Sequence, residues 1–145
     1  MAAMRPLPVA NDKTISSALL VNGGVVDVTA NNNKVMAGNI TVQNGGELKF
    51  TYSGSSDQYD CFAIDSTART ITLDNGTLDL GAMRHTMQNW SITMSNGSLL
   101  KGTGSSYNIN NKSYTAALDV ATNNMTISST SGDNEISAVT RLRAN

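Results

Sequence analysis

The feature that most constrains this chain is a short phrase that recurs along it. The phrase is an alternating strand, an Asn-Gly corner and a second alternating strand. Its clearest copy is Ile71-Thr72-Leu73-Asp74-Asn75-Gly76-Thr77-Leu78-Asp79-Leu80. Ile71 and Leu73 face one way before the corner, and Leu78 and Leu80 do so after it. A period of two marks a half-buried strand, and Asn-Gly supplies the positive φ of a sharp turn. On this pattern Gly76 is expected to take positive φ. One copy would be a hairpin, but residues 40–50 (ITVQNGGELKF) repeat it with an extra glycine, and residues 92–100 (ITMSNGSLL) repeat it again. An earlier copy spans residues 18–28 (ALLVNGGVVDV). Met125-Thr126-Ile127 opens a decayed fifth, with its corner expected between Ser129 and Gly132.

The corner residues Asn22, Asn44, Asn75 and Asn96 lie 22, 31 and 21 residues apart. Repeats of that period indicate solenoids or propellers. A further short strand precedes each Ile-Thr strand, as in Lys34-Val35-Met36, so three strands and three turns fill about 22 residues, one coil of a parallel β-helix. A propeller blade needs about twice that length. The expected fold is therefore all-β, a single-stranded parallel β-helix (β-solenoid) of about four to five coils.

Residues 1–12, with Pro6 and Pro8, are an irregular lead-in, and residues 13–145 form the domain. Polar residues 51–60 (TYSGSSDQYD) are an ejected loop that lengthens the second interval, with Cys61 to Ile64 returning as the short strand. Residues 101–113 are a second expansion, while residues 81–90 connect two copies without one. Ile136, Val139 and Leu142 recur every three residues, so residues 135–143 are either a short helix or a strand. Expected inward residues are Ile40, Val42, Leu48, Phe50, Ile71, Leu73, Leu78, Leu80, Ile92, Met94, Leu99 and Ile127, with Ala18, Leu20, Val26 and Val28 in the first copy.

Composition excludes several function classes. Charged residues are 14% against a typical 25% or so, while Asn, Ser and Thr make up roughly a third of the chain. The phasing of the aliphatic residues argues against disorder. A net charge of −1 without a basic cluster does not suit nucleic acid or an anionic membrane, and 5% aromatics is too few for base stacking. No run is long and apolar enough to insert in a membrane as a helix. Residues 1–8 lack the apolar core of a signal peptide. A single cysteine, Cys61, gives no internal disulfide framework, and a buried inert thiol is expected.

The N-G-[G/T]-x-L-x-L strands, carried by residues 44–50 (NGGELKF) and 75–80 (NGTLDL), resemble the passenger regions of bacterial autotransporters and the β-strand repeats associated with them. Phage tailspikes and polysaccharide lyases use similar coils. The resemblance covers about two-thirds of the chain. It implies a right-handed β-helix that is secreted or displayed on the bacterial cell surface, commonly in adhesion or as a stalk. It further implies a segment of a longer protein, since neither the signal peptide nor the membrane barrel of that family is here.

The candidate site residues are few. Asp57, Tyr59 and Asp60 in the first insertion, with Asp65 after it, offer carboxylates for calcium or for acid–base chemistry on a sugar. The simpler expectation is a solvated loop, and the calcium-binding nonapeptide is missing. Trp90 can stack on a carbohydrate ring or pack at a coil corner. His85, the sole histidine, is expected at the surface. No catalytic residue, metal or cofactor is assigned. Thr41, Thr72, Thr93 and Thr126 are expected as an outward ladder. Such an array can template ice if a second column runs beside it, which would be Gln43, Asp74, Ser95 and Ser128; β-propensity alone explains a single column. The leading function is a structural or adhesive segment that meets a host surface glycan or protein, with a carbohydrate-active domain as the alternative. The open strand edges of a solenoid also predict end-to-end self-association.

Overall fold

A computed structural model describes residues 5–7, 14–30, 35–52, 61–120 and 125–142. Every regular element among them is a strand. Arg5–Leu7 (β1) comes first. One circuit then runs through Thr14–Ile15 (β2), Leu19–Asn22 (β3) and Val25–Ala30 (β4), and the next through Val35–Met36 (β5), Ile40–Gln43 (β6) and Glu47–Tyr52 (β7). A third holds Arg69–Asp74 (β8) and Thr77–Asp79 (β9). A fourth holds His85–Thr86 (β10), Trp90–Ser95 (β11) and Leu99–Lys101 (β12). The chain then makes a hairpin from Ser105–Ile109 (β13) and Lys112–Ala116 (β14). It returns through Leu118–Val120 (β15), Thr126–Ser131 (β16), Glu135–Ile136 (β17) and Thr140–Leu142 (β18).

Strands at the same stage of successive circuits pair in parallel. Sheet A runs β1-β4-β7-β9-β12-β17 and sheet B runs β3-β6-β8-β11-β16. A third face comes in two pieces, β2-β5 with a single bridge from Met36 to Phe62, and β10-β15-β18. Strand number rises steadily along each sheet, and the hairpin β13-β14 is the one antiparallel pair among the described residues. This order fits a β-solenoid. The second expansion is thus a built hairpin, turned at Asn110 and Asn111 with φ of 50° and 61°. Two adjacent positive φ values give a turn whose twist suits a two-residue hairpin.

The registers put like on like. Ile40, Ile71, Ile92 and Ile127 form one inward column, and Leu48, Leu78 and Leu100 another. Ile71, Leu73, Leu78, Leu80 and Ile92 are fully buried, each contributing roughly 1.5–3 kcal/mol. The column of Val42, Leu73 and Met94 ends on Ser129, beside a register shift in β16. Ile127 is half-buried, so the core thins at that end of the stack.

Three expected inward residues face elsewhere, for one reason: the corners differ in length. Gln43 and Glu47 pair with Asp74 and Thr77, so the corner of the third circuit is one residue shorter than that of the second. The fourth has the longer corner, which places Leu99 opposite Thr77 and turns Leu100 inward. In the first circuit Leu19 and Val21 pair with Ile40 and Val42, leaving Leu20 60% exposed and Ala18 exposed. A slip of one residue in a strand exchanges its faces.

The same slip corrects Gly76, whose φ is not positive. The first left-handed residue at the corner of each circuit is Gly23, Asn44, Asn75, Asn96 or Gly132, with φ between 50° and 73°, and Gly24, Gly45 and Gly97 follow in the same region at 70°, 73° and 78°. Gly76 occupies the next position for its size: a Cβ there would lie 2.3 Å from the Val42 carbonyl oxygen. The adjacent circuit comes too close for any side chain. Along this corner Asn44 Nδ2 donates to Asn22 Oδ1 and Asn96 Nδ2 to Asp74 Oδ1, both at 2.6 Å.

Residues 135–142 hold two short strands, β17 and β18, with a corner between them and no helix. Ile136 and Val139 are 52% and 42% exposed.

Candidate functional site

Asp57, Tyr59 and Asp60 lie outside the described residues. Asp65 is described and is committed to the fold. It holds Arg69 through two bonds, at 2.7 and 2.9 Å, while Arg69 Nε donates to the Ala37 carbonyl at 2.8 Å. This fork ties two circuits at one corner. Hydrogen bonding from Arg69, then from the Thr67 backbone N–H, holds the Asp65 carboxyl well below the usual carboxylate range.

Trp90 is fully buried, which removes it as a surface platform for a sugar. Its Nε1–H donates to the Ala63 carbonyl at 3.0 Å, and its ring meets Phe62 edge-on at 5.4 Å. His85 is equally buried, which corrects the surface expectation. Its ring packs on Phe50 and Phe62 at 5.3 and 5.4 Å, and Nε2 lies 3.0 Å from the Leu80 carbonyl. A carbonyl only accepts, so that nitrogen carries the proton. Phe50, Phe62, His85 and Trp90 come from separate circuits or faces, and no local spacing announces their meeting. Cys61 is a buried thiol, as expected. A second buried feature unmarked in the sequence is Arg84 beside Asp119, at 3.5 Å.

Three surface features remain. The first is a cavity of about 330 Å³ at the end of sheet A, lined by Asp79, Gly81, Ala82, Lys101, Gly102, Thr103 and Ser137. Lys101 Nζ stands 3.0 Å from Glu47 Oε1 and 3.4 Å from Asp79 Oδ2. The Glu47 hydrogen bond and the nearby carboxylate charges raise the Lys101 pKa against the opposing effect of burial. Its ammonium is therefore a structural cation, held by two acids. The second feature is the hairpin β13-β14, where Arg141 of β18 sits 3.9 Å over the Tyr114 ring and docks the hairpin to the stack. Its segment is rich in Ser, Tyr and Asn, residues that give adaptable contacts in binding loops.

The third feature is the solvent side of sheet B. Thr41, Thr72 and Thr93 align, but the next residue in that column is Ser128; Thr126 aligns instead with Ser91. The expected ladder is therefore three threonines and a serine. A neighbouring column runs through Thr70, Ser91 and Thr126, with Asn39 at the matching place before Ile40.

No protein-family model matches this chain, and neither does any curated protein or solved structure. Among the described residues no helix is long and apolar enough to cross a membrane.

Proposed function

We propose that this chain is a structural and adhesive segment of a secreted or surface-displayed bacterial protein, of the kind found in autotransporter passenger regions. In this reading the coil is right-handed, because a strand, a crossover and a parallel strand in one sheet join with that hand in almost every known case. The observation that carries the proposal is the hairpin β13-β14, an antiparallel excursion set on an otherwise parallel stack. A stack fixes position and a Tyr/Ser/Asn-rich excursion supplies contacts, which is how a binding loop uses a rigid scaffold. The partner would be a glycan or protein on a host surface.

The open edges of β16, β17 and β18, with Ile136 and Val139 exposed beside them, also suit end-to-end contact with a second copy. Glycan-array and cell-adhesion binding of the whole chain test the adhesive role, against a variant in which residues 105–116 are replaced by a short Gly-Asn turn. Binding that disappears with the hairpin supports the proposal. Binding that survives unchanged, or release of reducing sugar from a bound glycan, overturns it. Light scattering over a concentration series reads the end contact, and a monomer throughout removes it.

A further inference from the structure

We infer that the solvent face of sheet B is a water-ordering surface that binds ice. This stands apart from the adhesive proposal. Each inward isoleucine of sheet B is flanked by two outward polar residues, as Asn39-Ile40-Thr41, Thr70-Ile71-Thr72, Ser91-Ile92-Thr93 and Thr126-Ile127-Ser128. The result is a two-column grid across four strands. Parallel pairing spaces it at about 4.8 Å along each column, and two residues of strand rise space the columns roughly 6.5–7 Å apart.

Two further observations separate this grid from ordinary strand composition. Among the described residues, the hydroxyls of Thr41, Thr70, Thr72, Ser91 and Thr126 make no hydrogen bond to the protein, and Thr93 and Ser128 share one contact of 3.5 Å. In the adjacent column of Gln43, Asp74, Ser95 and Ser131 the polar groups are engaged: Gln43 with Asn22, Ser95 with Asp74, and Asp74 and Ser131 with the corner residue Asn96. Asn39 Oδ1 accepts from the Thr70 backbone N–H at 3.0 Å, so the grid keeps most, though not all, of its side-chain donors and acceptors for solvent.

Charge is the second observation. No ionised residue stands in either column, whereas the solvent side of sheet A carries Glu47, Lys49, Asp79 and Lys101. An ion orients water radially around itself and breaks a tetrahedral lattice. Neutral hydroxyls both donate and accept, and threonine adds a methyl group that water must cage. Water held on a repeated grid loses little further freedom on joining a crystal plane. With four strands the patch is small, so slowed recrystallisation is expected before any large lowering of the freezing point.

The test is to grow ice slowly from a dilute solution of the whole chain and compare the protein content of ice and liquid. The chain is expected to concentrate in the ice. Thr72→Tyr, which places a bulky ring mid-grid on a residue type that strands favour, is expected to stay in the liquid with an unchanged circular dichroism spectrum. Lys49→Tyr on sheet A is expected to enter ice like the parent chain. Should Thr72→Tyr fail to fold, Ser91→Lys serves, and it too should stay in the liquid. Exclusion of the parent chain from ice overturns the inference. So does equal incorporation of a folded grid variant, or an equal loss in Lys49→Tyr.

Discussion

Sheets A and B line the same interior but meet water differently. On sheet A the outward residues of β7, β9 and β12 include Glu47, Lys49, Asp79 and Lys101, with Lys101 bridging Glu47 and Asp79. On sheet B the matching strands β6, β8 and β11 show Thr41, Thr72, Thr93, Thr70 and Ser91, with Asp74 as a charge beside the corner. Inward, the two are nearly interchangeable: Leu73 and Leu78 are both fully buried. The difference teaches that the fold needs only a period of two and an aliphatic inside. The outer side of each sheet is free to be set by other demands, charge pairing on one and unspent hydroxyls on the other.

The largest expected effect tests the shared interior. Leu73→Ala in sheet B and Leu78→Ala in sheet A should each cost about 3 kcal/mol, the usual range for a buried leucine truncation. Urea denaturation should place the two within about 1 kcal/mol of each other, since both sites are sealed. A much milder loss on one sheet would mean that the two faces do not close on a common core.

A smaller effect probes the corner that joins the sheets. Gly76→Ala should cost about 2–3 kcal/mol, because the added methyl meets a neighbouring backbone carbonyl that cannot swing aside. Gly45→Ala, where φ is 73° and space is open, should cost only about 1 kcal/mol from left-handed strain. Thermal melts that reversed this order would put the left-handed residue of the third circuit at 76 rather than 75.

The smallest effect separates the outer sides themselves. Lys101→Met on sheet A should cost less than about 1 kcal/mol at low salt, and the difference should vanish near 1 M salt. Thr72→Val on sheet B should show no such salt dependence. The Lys101 pKa is raised in the folded chain, so its contribution is complete below the ordinary lysine range and is lost as pH rises through the raised value. A stability difference between parent and Lys101→Met that grew toward high pH would contradict the two-acid clamp.

The period-two strands were legible because each was written in local spacing. Ile40, Val42, Leu48, Phe50, Ile71, Leu73, Leu78, Leu80, Ile92 and Met94 all point inward as that spacing predicts. Leu20 and Leu99 were not, because each belongs to a Leu-Leu pair whose phase is set by the length of a corner. The candidate site was less legible. Trp90 and His85 carried chemical promise as residue types, yet both serve the interior, where they meet Phe50 and Phe62 from other circuits.

By itself the sequence determined the class of structure. Alternation with aliphatics on one side, Asn or Gly at the corner between the two alternating strands and a period near 22 residues leave few architectures besides stacked parallel strands. Only the tertiary structure decided register. Whether Gly76 bends the chain or lets Val42 approach depends on a one-residue count at a corner, and Thr126 aligns with Ser91 rather than Thr93 through a shift of two residues. That count is settled by hydrogen bonds to the next circuit, as from the Thr77 N–H to the Gly46 carbonyl at 2.9 Å. Such bonds join residues more than 20 apart, and a pattern read in windows of ten cannot see them. The grid on sheet B is a product of that register, because a slip of one residue would turn its hydroxyls into the core.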